Sequence, residues 1–395
     1  MERKPDFWDT TMDFTFRKYR HAFRFWKNDL RLRRELARYE AQFNAHRLAL
    51  PGEEDIRKFT AQRFPHLKTK PKGTLNIIAV YHHYNWENDS LKPALEKFGR
   101  VRHYDWGCQF DHQHEKEWHR SVRAVMNGYL VSRIGQWIKE EAADVIFTCL
   151  SGELVTTATL QKIRNFKVPI LNLYLNDKEN FVGKIRQGQA MGMRDICSCF
   201  DLCWTSTADA LKKYCVEEAL PLYLPEGANP EIHKPYPMDK TIDVSFVGQC
   251  YGNRLEIIKK LRENAINVEA RGYGWPNGQL STEEMVRMYS MSRINLGFGG
   301  VSGHRNAYCL KGRDFEIPMS GGLYLTEYHP EIEQVYAPGE IVTYRGFDDL
   351  VTKIHFLLAN PEKAEEIRKH GFEQARTSHT WEMRFENVFG LLGLI

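Results

Sequence analysis

Apolar runs alternate with amphipathic segments along most of the chain. Runs such as TLNIIAVY (74–81) and ADVIFTCL (143–150) are each followed by a polar turn and then by apolar positions at helical spacing. The same alternation starts again at DVSFVGQ (243–249). Strands that are apolar throughout and are separated by helices form parallel sheets covered on both faces. The pattern therefore predicts an α/β protein with two successive doubly wound, Rossmann-like domains.

Changes in this pattern predict four segments. KTKPKG (68–73) and HKPYPMDK (233–240) have the composition of linkers. The cleft between the two Rossmann-like domains is the default ligand site. The predicted segments are a helical N-terminal extension (1–70), an N-terminal Rossmann-like domain (74–235), a C-terminal Rossmann-like domain (240–380) and a C-terminal helix (381–395).

Aromatic residues and cations interleave in the N-terminal extension. Phe16, Tyr19, Phe23, Trp26 and Leu30 recur at helical spacing, with arginines between them. One interpretation is a basic amphipathic helix on an anionic membrane, through residues 14–40, and another is contact with nucleic acid. A third docks the aromatic stripe on the protein body and leaves the cations in solvent. Nearby acidic residues dilute the positive charge, so we favour the third and do not expect a nucleic-acid partner.

Composition agrees with an ordinary globular protein of 395 residues, with 42% hydrophobic and 27% charged residues and a net charge of +4. No apolar run approaches the ~20 residues that span a bilayer. The first residues lack the features of a signal peptide. We therefore expect a cytoplasmic protein, whose contact with the inner face of the membrane would be peripheral. The spacing of Cys197, Cys199 and Cys203 does not match a zinc site, so we predict buried free thiols and no metal site.

The strand ends of the second domain carry residues suited to a phosphorylated ligand. In an open parallel sheet, ligands bind beyond the carboxyl ends of the strands. A glycine turn leading into a helix N-terminus exposes backbone N–H groups to a phosphate, and an aromatic side chain in a neighbouring loop can stack on a base. The candidate residues in these loops are Gly248, Gln249, Arg254, Tyr273, Trp275 and His304.

The segment KGRDFEIPMSGGLYLTE (311–327) places charges beside an apolar strand. Lys311 and Arg313 fall near the start of a predicted helix, where their charge can meet a diphosphate. Glu316 follows one turn later, and a carboxylate there can accept hydrogen bonds from a pair of sugar hydroxyls. The segment therefore predicts a site for a nucleoside diphosphate.

Three stretches of the second domain resemble the CgeB-like (spore maturation protein B) branch of the group-1 glycosyltransferases, which have the GT-B fold. They are DVSFVGQCYGNR (243–254), the segment 311–350 that starts with KGRDFE, and NPEKAEEIRKHGFEQARTSHTWEMRF (360–385). The resemblance implies a nucleotide-sugar donor held by the second domain and a glycan, protein or small-molecule acceptor held by the first. It also implies glycosyl transfer without a cofactor and without an obligatory metal.

The resemblance assigns roles to residues in the segment 311–327. It implies that Lys311 and Arg313 face the diphosphate and that Glu316 binds the ribose. The glycine pair Gly321 and Gly322 would let the backbone pass close to the donor, and Glu327 would close the site. The chain departs from the family pattern at Tyr308, where many of these enzymes carry a glutamate. The contact to the donor sugar and the stereochemical outcome therefore stay open.

Candidates for a catalytic base lie at strand ends of the first domain, because the acceptor hydroxyl must be deprotonated there. We prefer His82 or His83, since their loop opens toward the cleft. The full set is His82, His83, Glu87 and Asp177, with Glu153 as a further candidate. Two alternative functions are a sugar-nucleotide epimerase or hydrolase on the same fold, and a non-catalytic binding module that uses the basic N-terminal helices.

Overall fold

The computed structural model describes residues 10–84 and 86–395, without the side chains of residues 10–19 and 21. The predictions for residues 1–9, and those for the side chains of Phe16 and Tyr19, therefore lie outside the described part. Two parallel sheets dominate that part, and each belongs to one of the two predicted Rossmann-like units.

The first sheet has six parallel strands in the order β2-β1-β3-β4-β7-β8. Its four central strands are buried on both faces, as the sequence pattern predicts for a sheet between two helical layers. They are β1 (Leu75–Val80), β2 (Gly99–Tyr104), β3 (Val145–Thr148), β4 (Ile170–Tyr174), β7 (Leu202–Thr205) and β8 (Pro221–Tyr223). A short antiparallel pair, β5 (Ile185–Arg186) and β6 (Gln189–Ala190), lies outside this sheet.

The second sheet has five parallel strands in the order β10-β9-β11-β12-β13. The strand order changes direction at β9, and the loops after β9 and β11 meet at the carboxyl edge, as in other open α/β sheets. The strands are β9 (Ile242–Val247), β10 (Val268–Arg271), β11 (Ser292–Leu296), β12 (Tyr324–Glu327) and β13 (Val342–Tyr344).

Helices connect the strands and cover both faces of each sheet. In the N-terminal extension and the first unit they are α1 (Thr10–Ala45), α2 (Glu53–Arg63), α3 (Glu87–Glu96), α4 (Glu115–Glu117), α5 (Arg123–Glu140), α6 (Thr157–Arg164), α7 (Asp177–Asn180) and α8 (Leu211–Val216). In the remainder they are α9 (Arg254–Glu263), α10 (Thr282–Met291), α11 (Gly312–Met319), α12 (Phe347–Ala359), α13 (Pro361–Ser378) and α14 (Trp381–Leu391). The predicted fold class, two Rossmann-like units with a helical N-terminal extension, is confirmed. The exact segment boundaries stay predictions.

The C-terminal helix α14 packs on the first sheet, although it follows the second unit in the chain. Phe385 and Phe389 are buried with Phe147 of β3 in one apolar cluster. The rings of Trp86 and Trp381 stack with their centroids 5.3 Å apart. The chain therefore crosses between the two units twice, and these aromatic contacts hold its end to the first unit.

Helix α1 packs on the first unit through its C-terminal half. Tyr39 is buried with its ring against Phe181, and its hydroxyl donates to Glu217 at 2.6 Å. The expectation that the aromatic stripe docks on the protein body is wrong for Phe23 and Trp26, which are 63% and 53% exposed. The docking aromatics lie farther along the helix, because only that half runs beside α8.

The buried carboxylate of Asp29 connects α1 to the second unit. It accepts hydrogen bonds from the backbone N–H groups of Arg305 and Asn306, both at 3.2 Å, and lies 3.0 Å from Nδ1 of His304. Asn28 donates to the carbonyl of Gly303 at 2.8 Å. Because these residues form the loop after β11, α1 contacts both Rossmann-like units. Within the described residues, no helix is both long and apolar enough to span a bilayer.

The Asp29 contact predicts local protection of the loop after β11. In an Asp29→Ala variant the amides of Arg305 and Asn306 lose their acceptor, so they should exchange with deuterium roughly tenfold or more faster, in line with the loss of a hydrogen bond to a charged group. Hydrogen exchange followed by mass spectrometry measures this. The matched control is Glu40→Ala, which removes an exposed ion pair between α1 and Lys212. Equal exchange in wild type and Asp29→Ala would show that this contact does not order the loop.

Candidate functional site

A cavity of about 510 Å³ lies between the two units. One wall comes from loops that follow β1, β3 and β4, and the other from the segment that precedes α11, so the cavity has the position predicted for a ligand site. The first-unit residues in its lining include His82, Tyr84, Trp86, Glu87, His112, Ser151, Glu153 and Asn176. Facing them are Glu226, Cys309, Leu310, Lys311 and Gly312.

His82 and Asp105 form a hydrogen-bonded pair in the wall of the cavity. His82 Nδ1 lies 2.7 Å from Asp105 Oδ1, and Asp105 also accepts from the backbone N–H groups of His83 at 3.1 Å and Gly107 at 3.0 Å. Burial alone would raise the pKa of Asp105, but the hydrogen bonds from His82 and His83 lower it below its ordinary value. Because Nδ1 faces the carboxylate, Nε2 is the ring nitrogen left for a ligand.

The backbone around the His82–Asp105 pair fixes the imidazole. Any side chain at Gly107 would collide with the ring of His82, so glycine is needed where the chain passes over it. The rings of Trp106 and His112 lie 5.2 and 5.3 Å from that of His82. Asp105 was not among the residues predicted from sequence, because VRHYDW carries no signal beyond that of a strand.

The other candidate bases have structural partners. Glu87 accepts from the backbone N–H groups of Tyr84 at 2.9 Å and Trp86 at 3.1 Å, which closes the turn before α3. His83 Nδ1 accepts from the N–H of Asn88 at 3.3 Å. The structure therefore places the side chains of Glu87 and His83 at the N-terminal end of α3, where both accept backbone hydrogen bonds.

Asp177 lies in the protein interior. Its carboxylate is fully buried and accepts from the hydroxyl of Tyr214 at 2.9 Å, and burial raises its pKa to about 7. Within the described residues the cavity lining includes His82 and Glu87 but neither His83 nor Asp177. Glu153 also lines the cavity, but its Oε1 lies 2.7 Å from Nε2 of His119. The geometry therefore favours His82 among the predicted bases.

Arg254 and Arg313 lie close together at the carboxyl edge of the second sheet. The guanidinium carbon of each is 5.3 Å from the ring centre of Phe246. Arg254 donates to the carbonyl of Gln249 at 2.9 Å and to the hydroxyl of Tyr251 at 2.7 Å. Burial, and then the charge of Arg313, lower the pKa of Arg254 to about 10. The two arginines form the main positive charge at this edge.

This arginine pair has carboxylates nearby but makes no ion pair among the described residues. The charge of Arg254 acts on Glu327, and that of Arg313 acts on Asp314. Neither guanidinium is in an ion pair with a described carboxylate, and Nη1 of Arg313 is buried without a hydrogen-bond partner. Gly248 lies beside Arg313, since a β-carbon at position 248 would be 2.5 Å from Nη2. Buried charges are normally paired, so this arrangement suits an anion bound at the turn after β9.

Two carboxyl groups and a lysine lie at the start of α11. A β-carbon on Gly312 would be 3.0 Å from Glu316 Oε1 and 3.6 Å from Glu226 Oε2, so the carboxyl groups flank this glycine. Burial, and then the charge of Glu316, raise the pKa of Glu226 to about 8, against the opposing effect of Lys311. Glu226 is therefore mainly protonated at neutral pH. Glu226 was not among the residues predicted from sequence, because LPEGANP (224–230) has only the composition of a connecting loop.

Of the two predicted aromatic residues after β10, Tyr273 is exposed and Trp275 is buried. The proposal that Trp275 stacks on a base is wrong, because its indole is only 6% exposed and donates to the carbonyl of Gly248 at 2.8 Å. Tyr273 is 66% exposed and stays the candidate for stacking. Gln249 is exposed, and its carbonyl holds Arg254. His304 is engaged by Asp29 of α1.

The prediction that Gly321 and Gly322 bring the backbone close to a donor is wrong. They precede β12 and therefore lie at the amino edge of the sheet, across α11 from Lys311. Gly321 has φ +68° at the end of α11 and faces Pro235, and a β-carbon on Gly322 would be 2.7 Å from the amide nitrogen of Asn295. The glycines serve helix termination and packing.

Glu327 ends β12 at the carboxyl edge, on the side of the sheet where it was predicted. Burial raises its pKa, although a hydrogen bond from the N–H group of Gly300, the charge of Arg254, and hydrogen bonds from Gly299 and Tyr308 oppose that rise. Glu327 thus holds the loop after β11 and the side chain of Tyr308, the residue that departs from the family pattern.

No group of three or more His, Cys, Asp or Glu side chains within the described residues has a geometry that could hold a metal ion. Cys197, Cys199 and Cys203 are buried free thiols, as predicted.

The family model described as glycosyl transferase-like matches residues 254–390, which include Arg254 and all of α11. This match covers much of the second unit and ends within α14. A search of curated proteins finds no match for the chain.

Solved structures share the whole two-unit architecture. Sucrose-phosphate synthase from Thermosynechococcus elongatus aligns with TM-score 0.57 and 12% identity, over 80% of this chain and 99% of that one. A glycosyltransferase from Rickettsia africae aligns with TM-score 0.55 and 10% identity, over 81% and 99%. Anabaena Alr3699/HepE, in complex with UDP, aligns with TM-score 0.53 and 10% identity, over 80% and 100%. At these identities the similarity shows the fold, which is GT-B.

The raised pKa of Glu226 predicts a pH-dependent stability. Unfolding returns the pKa from about 8 to 4.5, so the folded state holds a proton that the unfolded state has lost between these values. The stabilisation from this protonated group is complete below the unfolded pKa and is lost as the pH rises through about 8. Glu226→Gln keeps a neutral side chain, so its stability relative to wild type should increase from about pH 5 to 8.

Chemical denaturation across this pH range measures the difference. Glu256→Gln, at an exposed glutamate paired with Lys260 on α9, is the control and should parallel wild type. A constant difference between Glu226→Gln and wild type would mean that Glu226 is already ionised at acidic pH.

Proposed function

We propose that the protein transfers a sugar from a nucleoside-diphosphate sugar to an acceptor hydroxyl. The observation that carries this proposal is the pair Arg254 and Arg313, which makes no ion pair with a described carboxylate and lies at the strand edge where a Rossmann-like sheet binds nucleotides. A diphosphate supplies the missing charge and acceptors. The GT-B fold and the glycosyl transferase-like match agree with this chemistry.

The residues proposed to bind the donor lie on both sides of the start of α11. Arg254 and Arg313 bind the diphosphate, and Lys311, on the cavity wall, adds charge where the leaving group forms. Because these cations stabilise the leaving diphosphate, transfer needs no obligatory metal in this proposal. Glu316 accepts hydrogen bonds from the ribose hydroxyls, and Tyr273 stacks on the base.

The acceptor side uses the His82–Asp105 pair in the first-unit wall. Asp105 holds Nδ1 of His82, and Nε2 takes the proton from the acceptor hydroxyl as its oxygen bonds to the anomeric carbon of the sugar. The bond between that carbon and the diphosphate oxygen breaks, and the electron pair leaves with the diphosphate. This is a direct displacement with inversion at the anomeric carbon.

The nature of the donor and the family branch are part of the proposal. Anabaena Alr3699/HepE is described in complexes with UDP and with UDP-glucose, which makes uridine diphosphate sugars the first donors to test. We also assign the chain to the CgeB-like branch, on the motif residues Arg313, Glu316 and Glu327. The acceptor is a glycan, protein or small molecule that reaches the cavity wall at His82.

Removal of one arginine should weaken nucleotide binding. Arg313→Ala loses a charge-assisted hydrogen bond to the diphosphate, so its Kd for UDP should rise roughly 10- to 100-fold. Isothermal titration calorimetry measures this. The control is Arg293→Ala, because Arg293 pairs with Asp243 at the opposite, amino edge of the same sheet and should leave the Kd unchanged. If neither variant changes the Kd, the diphosphate does not bind at the arginine pair.

Loss of the imidazole should slow transfer and leave donor binding intact. His82→Ala should lower kcat by roughly 10²- to 10⁴-fold, the usual contribution of a general base. Asp105→Asn should also lower kcat, because a neutral amide stabilises the protonated imidazole less than a carboxylate does. The assay follows release of nucleoside diphosphate with and without acceptor, which also separates transfer from hydrolysis of the donor.

The chain provides a matched control for this pair. His114 lies 2.9 Å from Asp111, but both side chains are exposed and outside the cavity lining. His114→Ala should keep the wild-type rate. Normal kcat in His82→Ala would exclude His82 as the base.

A further inference from the structure

We propose that the exposed face of α1 formed by Arg20, Phe23, Trp26, Lys27 and Arg34 docks the protein on an anionic lipid surface. We call this face the aromatic–cationic face. The proposal is independent of the proposed glycosyl transfer, because it concerns another surface and requires no nucleotide.

The aromatic side chains of this face are unusually exposed. Phe23 is 63% and Trp26 is 53% exposed, and their ring centroids are 5.8 Å apart. The two rings therefore contact each other and form a continuous apolar surface in solvent. Phe and Trp are the residues that amphipathic helices insert at the boundary between headgroups and acyl chains.

Helical spacing places cations beside these rings. Arg20, Phe23, Lys27 and Arg34 are separated by three, four and seven residues, so they lie on one side of α1. Arg20, Lys27 and Arg34 are exposed. Asp29 and Tyr39 point to the other side, where they contact the second and first units. The side chains of the aromatic–cationic face are therefore left in solvent, while Arg31, on the same side of the helix, donates to the carbonyl of Gly183 at 2.9 Å.

Two partners could cover this face, an anionic lipid surface or a second copy of this chain, and the charge of the face distinguishes between them. From Arg20 to Arg34 the only acidic residue is Asp29, which is buried and bound by the loop after β11. No described carboxylate pairs with Arg20, Lys27 or Arg34. Two such faces would repel each other, whereas lipid phosphates neutralise the cations and the bilayer takes up the rings.

The contacts of Asn28 and Asp29 would fix the orientation of the rest of the protein relative to the docked helix. Asn28 and Asp29 follow the aromatic pair by less than one turn and fix the helix to the loop after β11. The docked helix would therefore hold both units in one orientation at the lipid surface.

Vesicle co-sedimentation of the full chain tests the proposal. Wild type should bind vesicles of phosphatidylcholine mixed with phosphatidylglycerol and should bind phosphatidylcholine alone weakly, with binding that falls as salt is added. Arg20→Gln with Lys27→Gln should weaken binding by more than about tenfold, since each cation contributes roughly fivefold. Phe23→Ser with Trp26→Ser should also release the protein.

The control is Phe356→Ser, at a phenylalanine of α12 that is 51% exposed. It should bind like wild type, and circular dichroism should show that all variants are folded. Vesicle binding that is absent in wild type, or unchanged in both double variants, would overturn the proposal. So would light scattering that shows a dimer which Phe23→Ser with Trp26→Ser converts to a monomer, because the face would then belong to an interface between copies.

Discussion

Two guanidinium groups close together, with Arg254 buried and Arg313 partly buried, impose the main constraint on this structure. A charge removed from water normally needs a partner, and two like charges near each other increase that need. Arg254 has only neutral acceptors, and Arg313 keeps one nitrogen without any. Burial and the charge of Arg313 lower the pKa of Arg254, so the fold holds the charge of Arg254 at a cost in free energy. In the proposed function a bound diphosphate offsets that cost.

Both Rossmann-like units contribute residues to the rest of the site. The turn after β9 brings Gly248 against Arg313, and α11 begins where Lys311 reaches the cavity. Across the cavity, the loops after β1 and β2 bring His82 and Asp105 together. Lys311 and His82 thus line the same cavity, each from a different unit. Helix α1 and the connection through Glu226 lie where these units meet.

Sequence alone predicted the two sheets, because apolar strands alternate with helices along nearly the whole chain. It also predicted Arg254, Arg313 and His82 as candidates, since strand ends are local features. It failed where a role depends on distant packing. Trp275 has the composition of a stacking residue, but its indole fills the core under Gly248. The partnership of Asp105 with His82 depends on β1 and β2 lying side by side.

The exposure of Phe23 and Trp26 illustrates the same limit. Their spacing predicts an amphipathic helix, but spacing cannot tell which stretch of a long helix touches the protein body. In the structure the contacts come from Asp29 and Tyr39, and Phe23 and Trp26 are left in solvent.

Calorimetric titration of the wild-type protein with a nucleoside, its monophosphate and its diphosphate, for each common base, tests the central claim most directly. If the arginine pair is a diphosphate site, at least one diphosphate should bind about tenfold or more tightly than its nucleoside, because the phosphates supply the charge that the arginines lack. Equal affinities for the nucleoside and the diphosphate, or no binding of any diphosphate, would contradict it.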